Sequence, residues 1–467
     1  MVTLLAVLLT GAMWFASSGV NHVWPLAWIA PLPLLLILPH LPAGRAALAA
    51  WAASSLGALN LVLAYSHAPP VVLGMAVLLI SLPFALLSSV WRLVAQRGPP
   101  AIAGVAYPAL VASTEYLVSC VSPHGSFGSL AYSQAELPAV LQVAPITGPW
   151  GISFLVSLVP SAIAVAWRGR RSPSAVRIGL GLATIPLALT LALGTLRLAA
   201  TPWHSFVRIG LVTSDSALDA FAFAATDSGR ALPVVRLYAN RVAELAGRQA
   251  EVVVLPEKFV GVTPAYGELA RGILGKVARE HGLTVVAGFN QLDSASHRNL
   301  AVVLGPDGGV ALEYAKMHLI PGIEDEYIPG SSLGLIPSGH AIGVAICKDL
   351  DFTPLGRAYG RAGVGLLLVP AWDFGKDGWI HSRMAVLRGV EGGYTVARAA
   401  SRGRLTVSDP YGRILAERTS DSGPEVLLAA AAPIGPGDTF YSRTGDWFAW
   451  LCLLFSLACG ARVRNRA

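Results

Sequence analysis

The chain has 467 residues, 54% of them hydrophobic and only 13% charged, with a mean hydropathy of +0.59. Soluble domains carry about 25% charged residues, so the composition excludes a disordered chain and argues against a wholly soluble one. The formal charge of +7 does not mark a nucleic-acid binder: residues 1–203 and 444–467 hold 11 Lys+Arg against 3 Asp+Glu, whereas 204–443 hold 23 against 24. Arginine set between apolar runs is how membrane proteins fix their orientation, so the expected surroundings are a lipid bilayer, with no nucleic acid.

A helix crosses a bilayer with about 20 apolar residues. Seven such runs precede residue 200, at 3–20, 25–41, 46–66, 70–91, 101–121, 148–167 and 177–197, and an eighth covers 446–461. The first run lacks a basic leader and a clear cleavage site, so it reads as a span rather than a signal peptide. Arg45, then Arg92 and Arg97, then Arg168, Arg170, Arg171 and Arg177, and finally Arg462, Arg464 and Arg466 occupy alternate connections, while 21–24, 67–69 and 122–147 contain no Lys or Arg. With arginine on the cytoplasmic side, the expectation is a membrane domain of seven helices over 1–203, an extracytoplasmic domain over 204–443, and a final span with a basic cytoplasmic tail over 444–467. Arg197, at the outer end of the seventh run, is the one dissent. Glu115 lies inside the fifth run, where a lipid-facing carboxylate is costly; pairing with a neighbouring helix and lining a lipid cavity are both open to it.

The middle domain alternates strand-like and helix-like patterns. Strands are expected at 208–213, 252–256, 284–289, 341–347 and 365–370, with helices near 230–247, 265–281 and 378–392. Residues 300–316 read as a hairpin around Pro306-Asp307-Gly308-Gly309. Strands alternating with helices imply a layered α/β sheet.

Of four cysteines, Cys452 and Cys459 lie in the last span and Cys120 near the end of the fifth, which leaves Cys347 alone in the middle domain. It directly follows an apolar strand, at the kind of sheet edge where α/β proteins bind ligands; a free cysteine there is otherwise a small buried hydrophobe. Glu257 follows the run VVVLP and Lys316 ends the hairpin, so a carboxylate, an ammonium and a thiol all stand at strand exits. A thiol needs a base to become a nucleophile, and a fixed cation stabilises the oxyanion formed when a carbonyl is attacked. The kit suits acyl transfer. His318, His340 and His381 lack metal-ligand spacing and no phosphate or dinucleotide glycine motif is present, so neither metal nor cofactor is expected.

Glu257 in LPEKF, Lys316 in YAKMHLIP and Cys347 in ICKD resemble the Glu-Lys-Cys triad of the nitrilase superfamily. TEYLV (114–118), LAYSQ (130–134), ITGPWGISFLV (146–156) and YSRTGDWF (441–448) resemble the apolipoprotein N-acyltransferases, members of that superfamily with a membrane half. The resemblance covers nearly the whole chain, in order and with the same span count. It implies a multi-pass α-helical membrane domain beside an αββα nitrilase-like sandwich, in a bacterial inner membrane with the catalytic domain outside the cytoplasm. It further implies Glu257 as general base, Lys316 as oxyanion stabiliser, Cys347 as nucleophile, Glu324 as a further glutamate of the site, and the backbone N–H of Lys348 as an oxyanion donor, with Asp349 beside it. Candidate lining residues are Phe127, Trp372, Phe374 and Trp379.

The activity so implied moves an acyl chain from a phospholipid to Cys347 as a thioester and on to the α-amino group of a diacylglyceryl-cysteine apolipoprotein. The alternative is a membrane-tethered amidase in which water takes the acyl group; a third reading is a scaffold with a dead site. Four departures from the acyltransferase pattern bear on the choice: Lys348 replaces an aromatic residue, Asp349 a glutamate, Val118 an arginine, and Phe127 a tryptophan.

Overall fold

A computed structural model describes every residue except 67, 201–202, 216–221, 294–295, 338–341 and 465–467. His340, Ala341 and Arg466, singled out above, lie outside the described residues. The chain forms two compact units, Met1–Ala200 with Thr444–Ala467, and Thr201–Arg443.

The first unit is a helical bundle. Five helical stretches among the described residues are long and apolar enough to cross a bilayer: Ala43–Ala64, Pro70–Arg97, Pro100–Val121, Pro149–Arg168 and Pro173–Ala199. The other three expected spans are shorter or broken. Val2–Ser17 has 16 residues and Trp447–Arg464 has 18. The run 25–41 divides into Trp24–Ala27, Leu32–Ile37 and a tight turn at Leu38–His40, because Pro25, Pro31, Pro33 and Pro39 each remove a backbone donor. The connection 122–147 contains short helices at Pro138–Leu141 and Ala144–Thr147.

Small side chains let the bundle pack closely: Ala109 and Ala112 meet Trp150, Ala449 and Cys452 in one buried cluster. Glu115 is met by its neighbours. Its Oε2 accepts hydrogen bonds from Ser129 Oγ at 2.7 Å and Ser153 Oγ at 2.6 Å, and its Oε1 from the Leu130 N–H at 2.8 Å. Ser153 belongs to helix Pro149–Arg168, so an adjacent helix carries part of the cost of burying this carboxylate.

The second unit contains thirteen described strands: β1 Phe206–Ser214, β2 Val252–Val254, β3 Val260–Val262, β4 Thr284–Gln291, β5 Arg298–Leu304, β6 Val310–Ala315, β7 Gly334–Ile336, β8 Ile342–Val344, β9 Leu366–Trp372, β10 Thr395–Ser401, β11 Arg404–Ser408, β12 Ile414–Thr419 and β13 Glu425–Pro433. They make two sheets, one ordered β13-β1-β2-β4-β5-β6 with β3 alongside β4, the other β12-β11-β10-β9-β8-β7. Ile209, Val254, Val286 and Val303 of the first sheet and Leu366, Leu368, Ala397 and Val407 of the second share one core between them. Helices Ser228–Gly247 and Gly267–His281 cover the outer face of the first sheet, where Val235, Val242 and Leu274 pack on Val253 and Val285. Helices Thr353–Arg361 and Gly378–Gly392 cover the second, with Leu355, Tyr359 and Ala385 on Leu367 and Val369. The unit is an αββα sandwich.

The central strands read as continuous apolar runs because both of their faces are covered. The expected hairpin forms as β5 and β6, paired antiparallel, with Gly308 at φ 80° in the turn. The strand expected over 341–347 is described only over Ile342–Val344; Cys347 lies beyond it, at the start of a tight helical turn.

Candidate active site

Sheet direction gathers the polar residues. β1, β2 and β4 are parallel, and two antiparallel steps through β5 bring β6 back to the same direction. Glu257, three residues past β2, and Lys316, directly past β6, therefore leave the sheet at one edge. β5 runs the other way, so its second residue, Asn299, reaches that edge too and pairs with Asn290 at the end of β4. In the second sheet β8, β9 and β10 are parallel, which carries Cys347, Trp372 and Ser401 to their ends. The two edges coincide: the Glu257 N–H donates to the Ala371 carbonyl at 3.2 Å, and Thr213 and Ser401 share a hydroxyl hydrogen bond of 3.1 Å.

Lys316 is buried between two carboxylates, with Nζ 2.8 Å from Glu257 Oε1 and 2.9 Å from Glu324 Oε2. Asn299 Nδ2 bridges the same pair, donating to Glu257 Oε1 at 2.6 Å and Glu324 Oε1 at 2.8 Å. Lys258 forms an ion pair with Glu324 Oε1 and stands 4.2 Å from the centre of the Tyr327 ring. Two cations thus face two anions, and buried charges persist only when matched in this way. Burial works against the charge of Lys316, but the Glu257 and Glu324 carboxylates outweigh it and its pKa is raised. Burial likewise opposes the charge of Glu324, and the two lysines overcome it, holding the carboxyl well below the usual range. Both ions are therefore charged near neutrality.

An ammonium has three N–H donors, and the two carboxylates take two from Lys316, leaving one. Glu257 Oε2 is buried with no hydrogen-bond partner among the described residues. An unpartnered carboxylate oxygen inside a protein is costly, and here it is the atom able to receive a proton.

Cys347 is 8% exposed and has φ 43°, a left-handed conformation that is uncommon outside glycine and costs about 1–3 kcal/mol. The chain turns sharply there, and Sγ donates to the Trp372 carbonyl at 3.3 Å. Burial pushes the thiol well above its ordinary pKa and the Glu257 carboxylate adds to this, while Lys316 opposes. The resting group is a thiol, so nucleophilic attack requires its proton to leave as the new bond forms.

Asp349 ties the turn to the Lys316 loop. Its Oδ1 accepts from the backbone N–H groups of Met317 and His318 at 3.1 and 2.9 Å, and its Oδ2 from Tyr314 Oη at 2.7 Å and the Ile346 N–H at 3.0 Å. Lys348 places Nζ 3.4 Å from Asp351 Oδ2. A cavity of about 60 Å³ adjoins the cluster, lined by Glu257, Lys258, Phe223, Trp372, Ser401 and Arg402 among others. Trp372 packs edge-on to Phe223 there. Trp379 is buried in helix Gly378–Gly392 and Phe374 is exposed; neither lines the cavity. Phe127 belongs to the membrane unit, where it contacts Tyr65. Among the described residues no group of three or more His, Cys, Asp or Glu side chains is placed to share a metal ion.

Asn299 and Lys258 did not emerge from the sequence as members of the site. Asn299 is detectable in retrospect as a buried polar residue opening the apolar strand NLAVVL, and Lys258 as one of only five lysines, next to Glu257. The buried pair of Arg398 and Asp373 gave no spacing signal because β10 and β9 bring it together from 25 residues apart.

Residues 10–162 match the family model for the apolipoprotein N-acyltransferase N-terminal domain, and residues 225–433 that for carbon-nitrogen hydrolase. An apolipoprotein N-acyltransferase of Geobacter metallireducens is 29% identical over an alignment spanning 97% of this chain and 93% of that protein. An omega-amidase of Danio rerio is 28% identical over 38% of this chain and 76% of its own length. Among solved structures, an amidase from Nesterenkonia sp. is 21% identical with a TM-score of 0.43, over 54% of this chain and 97% of that one.

Proposed function

We propose, for a chain whose second half is a carbon-nitrogen hydrolase domain and whose first half resembles that of the apolipoprotein N-acyltransferases, that Cys347 carries an acyl group as a thioester and that the enzyme works at C–N bonds beside a membrane. The observation that carries this reading is the free, buried Oε2 of Glu257 in a cluster with a neutral thiol and a doubly held ammonium. As Sγ attacks the carbonyl carbon, its proton passes to Glu257 Oε2. The remaining N–H of Lys316 and the backbone N–H of Lys348 stabilise the oxyanion. Collapse breaks the C–N bond of an amide donor and expels the amine, or the C–O bond of a phospholipid ester and expels the lysolipid alcohol; the leaving group takes the proton from Glu257, and the thioester remains. Glu324 helps keep Lys316 charged, and Asn299 and Lys316 together occupy Glu257 Oε1, so that only Oε2 is free to act.

Two acceptors discharge the thioester. Water yields an amidase, and two observations support it: the likeness of this half to an omega-amidase and the small cavity, about 60 Å³ with the polar residues Ser214, Asp215, Ser401 and Arg402 in its lining. That volume holds a few water molecules, which suits a small polar amide. The second reading is N-acyl transfer from a phospholipid to a diacylglyceryl-cysteine amine. The likeness to an N-acyltransferase along 97% of the chain supports it, and it requires the acyl chain to lie outside this cavity.

One pair of incubations separates them. The purified full chain is given small primary amides, then phospholipid alone, with Cys347→Ala as control. Ammonia release that Cys347→Ala abolishes supports the amidase. A stable acyl adduct on Cys347 from phospholipid, discharged by a diacylglyceryl-cysteine peptide to an amide, supports the transferase. If neither adduct nor turnover appears with a folded protein, acyl-enzyme chemistry is excluded.

A further inference from the structure

The membrane unit encloses a cavity of about 200 Å³ to which the catalytic unit contributes no residue. Leu35, Trp91 and Ala164 are among its apolar lining residues, and His40, Arg168 and Arg170 among its polar ones. Among the described residues no acidic side chain lines it. Three connections meet there: the end of the 24–40 segment, the junction at Gly98–Pro100, and the Trp167–Arg170 turn. Arg45, Arg92 and Arg97 are close in sequence to the same connections, whereas Arg197 is not.

The two arginines are poised but uncompensated. Arg170 lies 5.2 Å from the centre of the Trp167 ring and donates to the Trp167 carbonyl at 3.2 Å. Among the described residues neither Arg168 nor Arg170 is paired with a carboxylate. Trp167 is 59% exposed, as suits an indole at a membrane–water interface. An apolar slot capped by guanidinium groups complements a molecule with a hydrocarbon part and a phosphate, since the planar guanidinium matches phosphate oxygens two at a time.

We propose that this cavity is a binding site for an anionic glycerophospholipid, with the headgroup phosphate on Arg168 and Arg170 and the start of one acyl chain between Leu35, Trp91 and Ala164. Basic pockets between membrane helices favour anionic headgroups, each arginine adding about a fivefold preference. The proposal does not rest on the catalytic reading, because no residue of the Cys347 site takes part.

The test is a titration by native mass spectrometry of the full chain, delipidated in detergent, with phosphatidylglycerol and with phosphatidylcholine of the same acyl chains. The parent protein is expected to prefer phosphatidylglycerol. Arg168→Ala/Arg170→Ala should weaken that lipid about thirtyfold and phosphatidylcholine, whose choline offsets the charge of the same phosphate, by clearly less. Arg168→Lys/Arg170→Lys should recover most of the binding. Arg171→Ala/Arg177→Ala, at arginines outside the lining, should change nothing. Equal affinity for the two lipids overturns the proposal, and so does an equal loss in the Arg171/Arg177 control, which would reveal general charge attraction. Displacement of the lipid by millimolar glycerol phosphate overturns it in favour of a free-anion site.

Discussion

Replacing Lys316 by methionine keeps the length of the side chain and removes its charge. In the parent, the ammonium makes two charge-assisted hydrogen bonds of 2.8 and 2.9 Å to Glu257 and Glu324, all three groups being almost wholly buried. Without it, Glu257 Oε1 retains only Asn299, while Glu324 retains Lys258, Asn299 and the Ile320 N–H. Removing one partner of a buried pair costs about 3–5 kcal/mol, or about 6–20 °C in the melting temperature of a domain this large. The penalty should depend on pH in a defined direction. The Glu324 pKa is depressed, so its contribution is present above its unfolded value of 4.5 and is lost as pH falls through its folded value of about 2. The gap between parent and Lys316→Met is therefore full at pH 7 and narrows toward pH 3. Differential scanning fluorimetry of the detergent-solubilised full chain at both pH values measures it, and turnover should fall by about 10²–10³ through loss of the oxyanion donor. A variant melting within 2 °C of the parent at pH 7, or a gap that ignores pH, would refute the account of Lys316 as the shared counter-ion of two buried carboxylates.

Cys347→Ser is expected to fold normally and to lose turnover, because a hydroxyl stays protonated where even the thiol does; intact-mass analysis should find no acyl adduct. Gly288→Ala tests the placement of Glu257 from behind: a Cβ there would meet the Pro256 carbonyl oxygen at 2.2 Å and Glu257 Cα at 2.7 Å, so activity should fall sharply even though Gly288 is not among the lining residues of the cavity, with a stability loss of about 1–3 kcal/mol. His381 lies between Asp351 and Asp377; burial opposes its charge, yet the two neighbouring carboxylates push its pKa up to about 10. Its contribution is then complete below its unfolded value of 6.5 and lost as pH rises through about 10, so the melting-temperature gap between parent and His381→Gln should be present at pH 6 and vanish above pH 10. Reporter fusions at residues 168 and 420 should give cytoplasmic and external signals respectively; the same side for both would remove the proposed topology.

What could be read without a structure was whatever depends on local pattern. The apolar runs, their arginine-bearing connections and the strand-then-polar-residue exits at Glu257, Lys316 and Cys347 are periodicity and composition, and these are set residue by residue. The proline-rich 25–41 run shows where that reading is too coarse: its hydropathy is that of a span, but its missing donors divide the helix. Strands β3 and β7 have only three residues each, too few to carry a period, and they exist because their neighbours supply the hydrogen bonds. Of the residues gathered around Lys316, Glu324 was reached only through the family resemblance, and Asn299 and Lys258 not at all, since only the antiparallel return of β5 beside β4 puts Asn299 at the same edge as Glu257. The raised pKa of Cys347 and the unpartnered oxygen of Glu257 belong to this class too. A residue's type says which charge it can carry, whereas burial and the groups folded against it determine which charge it does carry, and those neighbours are assigned by sheet order rather than by chain order.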